Sequence, residues 1–216
     1  MKKLFAFFVC AICALMLFAC DKADDKKDLY NNDNNNNNNT GEETVELDKA
    51  LDAKYKGLIK NKKLYLTTVG QADVDKVQSL LEDLELEEST DYTKKNNLTA
   101  SEVESGSVVL VVIGTSGKGL GAAGTDLNGE KKRANDFIAK EGITLVVFHV
   151  GGVDRRGDTT DPVIDIVAPE ADLLLVVNSG NEDGKFTKLA KDNNVDLYLF
   201  SKTSKIKNAL ETLLDK

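Results

Sequence analysis

The chain has 216 residues, 41% of them hydrophobic and 30% charged, which excludes a low-hydrophobicity disordered protein and points to one domain with appendages. Its formal net charge is −8. That excess of carboxylates repels phosphate backbones and argues against nucleic acid as a partner.

In chain order, Lys2 and Lys3 precede an apolar stretch from Leu4 to Ala19 that ends Leu17-Phe18-Ala19-Cys20. The stretch is shorter than the roughly 20 residues a spanning helix needs, so residues 1–19 read as a cleaved leader. Leu at −3, Ala at −1 and Cys at +1 have the arrangement of a bacterial lipobox, although Phe18 is bulkier than usual at −2. Cys20 is therefore the expected lipidation site, and its two acyl chains suffice for stable anchoring on the extracytoplasmic side of a membrane. An ordinary secretory signal or a short uncleaved anchor are the alternatives. With Cys10 and Cys13 lost in the leader and Cys20 acylated, the mature chain would hold no free thiol and no disulfide. Thiol nucleophiles and cysteine-based zinc sites are thereby excluded.

Residues 20–43 are rich in Asn and Asp and nearly devoid of apolar side chains, so they read as a disordered tether. Leu47, Leu51, Tyr55 and Leu58 recur at helical spacing, which predicts an amphipathic helix over 44–60, ended by Gly57 or Asn61. From residue 61 the pattern changes. Leu64 to Val69, Val108 to Ile113, Leu145 to Val150, Leu173 to Val177 and Leu197 to Phe200 are continuous apolar runs, as expected of strands covered on both faces. A weaker strand is predicted over Ser89 to Thr93. Helical patterns lie between: Val74 to Leu84 behind Asp73 as N-cap, Leu127 to Ile138, Pro162 to Ala168, Phe186 to Asn193 and Ile206 to Leu214. Strand and helix alternating to the C-terminus predict an α/β domain over 61–216, a doubly wound, mainly parallel five- or six-stranded sheet of flavodoxin- or Rossmann-like type. Such a fold brings every strand-to-helix loop to one edge, where ligands bind.

Those loops hold most of the glycines and most of the unusual chemistry. They contain Gln71 and Asp73; Ser116, Lys118, Gly119 and Gly121; His149, Arg155 and Arg156; and Asn181 and Asp183. Gly119 to Gly124 satisfies G-x-G-x-x-G, but it begins well after the strand ends, and the next strand ends in His149 rather than in an acid for ribose hydroxyls. A P-loop fails because Gly119 follows Lys118 where Ser or Thr is required. No cofactor is therefore expected. What survives is a loop offering backbone N–H groups and the Lys118 ammonium to an anion. Arg155 and Arg156 either grip a carboxylate or phosphate or neutralise Asp154, Asp158 and Asp161. His149, the only histidine, is either a weak acid–base candidate or a hydrogen-bonded structural residue at a strand end. One histidine without cysteine makes no zinc site, and no metal is expected. Ser116, His149 and Asp154 can be drawn as a triad, but no G-x-S-x-G elbow supports it.

From about Leu64 to Leu213 the sequence resembles the bacterial domain-of-unknown-function family 6305, whose members are extracytoplasmic α/β proteins. The likeness rests on Gly70-Gln71-Ala72-Asp73, Lys118-Gly119-Leu120-Gly121-Ala122-Ala123-Gly124, His149-Val150-Gly151-Gly152 with Arg155-Arg156-Gly157, and Asn181 with Asp183-Gly184 and Phe186-Thr187. The family usually has one more small residue between the Gln and the Ala-Asp pair. The resemblance implies the fold and the same loops, and it carries no reaction or ligand.

Three functions fit these features. One is a lipid-anchored protein that binds a small polar or anionic ligand at the sheet edge. A second is a hydrolase or transferase using His149 as acid or base, with Lys118, Arg155 and Arg156 stabilising negative charge. The third is a structural envelope protein whose loops dock a partner protein.

Overall fold

The computed structural model describes residues 45–216. The expected leader, the tether and Cys20 lie outside the described residues. Six parallel strands form one sheet: β1 (Leu64–Val69), β2 (Thr93–Lys94), β3 (Val108–Ile113), β4 (Thr144–His149), β5 (Leu173–Val177) and β6 (Leu197–Phe200), in the order β2-β1-β3-β4-β5-β6. The helices are α1 (Val74–Glu82), α2 (Gly117–Ala122), α3 (Leu127–Ala139), α4 (Asp161–Val167), α5 (Lys185–Asn193) and α6 (Ile206–Leu214).

The continuous apolar runs form central strands because alternate side chains are buried on opposite faces. Val108, Leu110 and Val112 of β3 pack with Val77 and Leu81 of α1 and Leu210 and Leu213 of α6. Val109, Val111 and Ile113 pack with Phe137 of α3, Ile164 of α4 and Phe186 of α5 on the other face. Each such fully buried side chain contributes about 1.5–3 kcal/mol over leaving it in water. The buried polar residues of the strands, Thr67, Thr68 and His149, lie in their C-terminal halves. There Thr67 Oγ1 donates to Asn96 O at 3.2 Å and Thr68 Oγ1 donates to Ala72 O at 2.9 Å, so the end of β1 is tied to its neighbouring loops.

Two expectations differ from the structure. The weak strand is present, but as the two residues Thr93 and Lys94, paired with Tyr65 and Leu66. The segment before residue 61 is not an amphipathic helix. It is a strap with a single 3-10 turn at Ala53–Tyr55, and its backbone bonds run to the domain: Asp48 N–H to Leu199 O, Gly57 N–H to Thr212 O and Ile59 N–H to Leu213 O. Of the predicted stripe Leu51 and Tyr55 are buried, Leu58 is partly so and Leu47 is exposed; with Ile59, the buried positions 51, 55 and 59 mark contacts with the domain rather than helical winding. An isolated helix of that length is marginal, and left-handed backbone at Asp48, Gly57 and Asn61 is incompatible with one. Tyr55 Oη completes the attachment by donating to Asp196 Oδ2 at 2.6 Å.

Candidate functional site

The chain leaves β1 to one side and β3 to the other, so the sheet's switch point lies between the C-terminal ends of these two strands. The loop after β1 is held in an unusual conformation: Gly70, Gln71 and Asp73 all have positive φ, at 102°, 63° and 62°. Only glycine adopts such backbone freely, so neighbouring groups must hold the other two. Glu130 of α3 does much of this. Its buried carboxylate accepts from Gly70 N–H at 2.7 Å and Gln71 Nε2 at 3.0 Å, and it is paired with Arg133. Arg133 in turn donates to Thr68 O and Leu98 O, locking α3 to the end of β1. Because a carboxylate only accepts, Glu130 also fixes which way the Gln71 carboxamide faces. Its Nε2 is directed to Glu130 and Asn96 O, and its carbonyl oxygen remains as an acceptor.

Against this loop stands the segment after β3. Ser116 N–H donates to Gly70 O, Ser116 Oγ accepts from Gly119 N–H, and a Cβ on Gly119 would collide with Gln71 O. Gly119 is thus required by close backbone approach, whereas Gly121 has open space around it. Between the two walls lies a cleft of about 350 Å³ lined by Gln71, Asn96, Asn97, Gly119, Ala122 and Ala123. Lys118 is exposed on α2, beside the lining residue Gly119.

Farther along the same edge, the remaining candidate residues bind one another. Arg156 donates through all five of its N–H groups: Nε and Nη2 to Asp161, Nη1 and Nη2 to Asp183, and Nη1 again to Gly180 O. Its side chain is 10% exposed. The guanidinium holds Asp183 down at about 2 and keeps Asp161 below the usual carboxylate range. Arg155 Nε donates to Asp73 Oδ2 at 3.0 Å. Asp73 occupies the N-terminal position of α1 as expected, but its side chain makes no cap bond; it pairs with Arg155 and Lys76 instead. Asn181 is a buried capping residue whose Oδ1 accepts from Phe186 and Thr187 N–H at the start of α5. The arginines therefore neutralise acids of their own chain: Asp161 as expected, with Asp73 and Asp183 in place of Asp154 and Asp158.

His149 is fully buried at the end of β4, with Nδ1 3.1 Å from Ile113 O and Nε2 3.2 Å from Gly152 O. Its ring lies 5.2 Å from that of Phe186, and a Cβ on Gly180 would strike it. No hydrogen bond joins it to Ser116 or Asp154 among the described residues, so the sketched triad does not form. Burial pushes the imidazole pKa below 6.5, with nearby Arg156 acting in the same direction and the two carbonyls opposing. The unfolded chain takes up a proton below about pH 6.5 and the folded one only at lower pH, so stability should fall on acidification through that window by at most about 1.4 kcal/mol per pH unit. Melting temperatures compared between about pH 7.5 and 5.5 should drop more in the parent than in His149→Gln; equal drops would remove His149 as the cause.

Sequence reasoning missed Glu130, Arg133, Asn96 and Asn97. Glu130 left a signal, since it sits on the apolar helical stripe Leu127, Ala134 and Phe137 where a carboxylate has no reason to be unless paired. No curated protein and no solved structure matches the chain. The family described as Domain of unknown function (DUF6305) matches residues 61–214, which span the whole sheet, the cleft and the Arg156 cluster, and the chain belongs to that family.

Proposed function

We propose that this is a binding protein whose cleft at the β1/β3 switch point takes a small neutral ligand rich in hydroxyl or amide groups. The observation that carries this reading is the lining itself: three carboxamides, from Gln71, Asn96 and Asn97, face small residues with no ionisable side chain among them. Carboxamides supply both donors and acceptors, and the remaining Gln71 carbonyl oxygen calls for a ligand O–H or N–H. A volume of about 350 Å³ lies at the lower end of the range for small-molecule sites. The engagement of Arg155 and Arg156 by carboxylates, and the buried Glu130 beneath Gln71, favour a neutral over an anionic ligand.

Thermal unfolding in millimolar glucose, ribose, myo-inositol or glutamine tests this. At least one should raise the melting temperature in proportion to RT ln(1 + [L]/Kd), and Asn97→Ala should abolish the rise. A rise with phosphate or sulfate instead, or with none of the neutral probes, would refute the neutral cleft.

The sequence around Cys20 supports a location for this activity: lipid-anchored to a membrane on the extracytoplasmic side of the cell envelope. Cys20→Ala should move the protein from the membrane to the soluble fraction, and continued membrane retention would exclude the acyl anchor.

A further inference from the structure

The helix that walls the cleft is made of residues that disfavour helices. Gly117, Gly119 and Gly121 supply half of α2, and each lowers the helix equilibrium about fourfold to fivefold relative to alanine. Burial does not compensate, because no residue of α2 is buried. By contrast, α1 and α6 each bury four side chains, α3 and α4 three, and α5 two.

Nor do the surroundings demand all three glycines. Gly119 is required by its approach to Gln71 O, but at Gly117 and Gly121 φ is not positive and a Cβ would meet nothing. Two positions thus carry the most flexible residue where alanine fits the closed structure. Just past the helix, Gly124 turns at φ +65° in open space. At the other end, the β3 terminus is fixed by Gly114 N–H to Val69 O and Thr115 N–H to Thr160 Oγ1. A weakly held segment is therefore bounded by one firm attachment and one permissive turn, and Ala122 and Ala123 within it line the cleft.

We propose that residues 117–124 form a lid that opens over the cleft by unwinding its helical turn while the sheet stays folded, a proposal that rests on the reading of that cleft as a binding site. Unwinding removes the wall made by Gly119, Ala122 and Ala123 and admits the ligand. Closing brings the Gly119 backbone back onto Gln71. Flexibility at Gly117 and Gly121 is what the two states require, and glycine's lower helix stability keeps the open state populated in the free protein.

Amide hydrogen exchange on the unliganded protein tests this. The reporters are Leu120 N–H bonded to Ser116 O, Ala123 N–H to Gly119 O and Thr125 N–H to Leu120 O. They should exchange at least about a hundredfold faster than the Leu81 and Leu210 amides of α1 and α6. The double variant Gly117→Ala/Gly121→Ala should slow the α2 reporters roughly twentyfold and raise the melting temperature, with the exchange of Leu81 and Leu210 changed much less. Reporters as slow as Leu210 in the parent, or unaltered by the two alanines, would overturn the lid. Because no ligand is present, that failure would leave the cleft reading standing. A slowed lid combined with no thermal response to the neutral probes would instead sink the cleft reading, and with it a lid's purpose.

Discussion

Arg156→Ala should lower folding stability by about 3–5 kcal/mol, read as a fall in denaturant midpoint at unchanged slope. The size follows from what the guanidinium leaves behind. It is almost wholly buried and bonds two carboxylates and the Gly180 carbonyl, so its removal leaves Asp161 with no ion-pair partner among the described residues and only the more distant Lys185 charge to favour it. Lysine at 156 should recover only part of the loss, since a single ammonium cannot present two parallel pairs of donors. The two acids are unequal. Asp183 is 58% exposed against 28% for Asp161, so water screens the outer pair, and Asp183→Asn should cost no more than about 1 kcal/mol. An Arg156→Ala variant within about 1 kcal/mol of the parent would mean that the whole cluster is solvated and that the loops are held by other contacts.

A comparable loss, about 3–5 kcal/mol, is expected for Glu130→Ala, with a further effect at the cleft. The carboxylate is 2% exposed and the Arg133 side chain 11%, so deletion leaves a buried guanidinium without its counter-charge. It also leaves Gly70 N–H without its acceptor and Gln71 Nε2 with only the longer bond to Asn96 O. Gln71 and Asp73 keep their positive φ only because the surroundings over-determine them, and the loop should relax once Glu130 is gone. Glu130→Gln separates the two consequences. It keeps the volume and one acceptor oxygen but turns an NH2 toward existing donors, costing about 1–3 kcal/mol. That variant should remain folded while its thermal response to the neutral probes falls; an undiminished response would show that Gln71 needs no orientation from below.

The sheet could be read from the chain because burial on both faces is a local property of composition: Val108 to Ile113 has no polar face to give water, and only a central strand uses such a segment. Loop placement at one edge then followed from parallel topology. The pairings on that edge could be read only in part. Asp161, five residues past Arg156, was among the acids expected to neutralise it, whereas Asp183 lies on a different loop, a choice made by tertiary geometry among many nearby acids. The strap was misread because regular apolar spacing is common to a helix and to an extended segment touching a surface at intervals. Asp73 stood at the expected position, yet its left-handed backbone leaves the helix uncapped by its side chain and gives that side chain to Arg155 and Lys76. The short helix α2 escaped notice because its small residues carry no periodic hydrophobicity at all.

The margins of the sheet have a consequence for behaviour at high concentration. One margin, β2, is only two residues long, ends in Lys94 and is followed by Lys95, while at the other, β6, Leu199 is engaged by the strap and Ser201 by Asp48. Neither side offers a long flat ladder on which a neighbouring molecule could add a strand, so many copies crowded together would resist the edge-to-edge association that seeds insoluble aggregates.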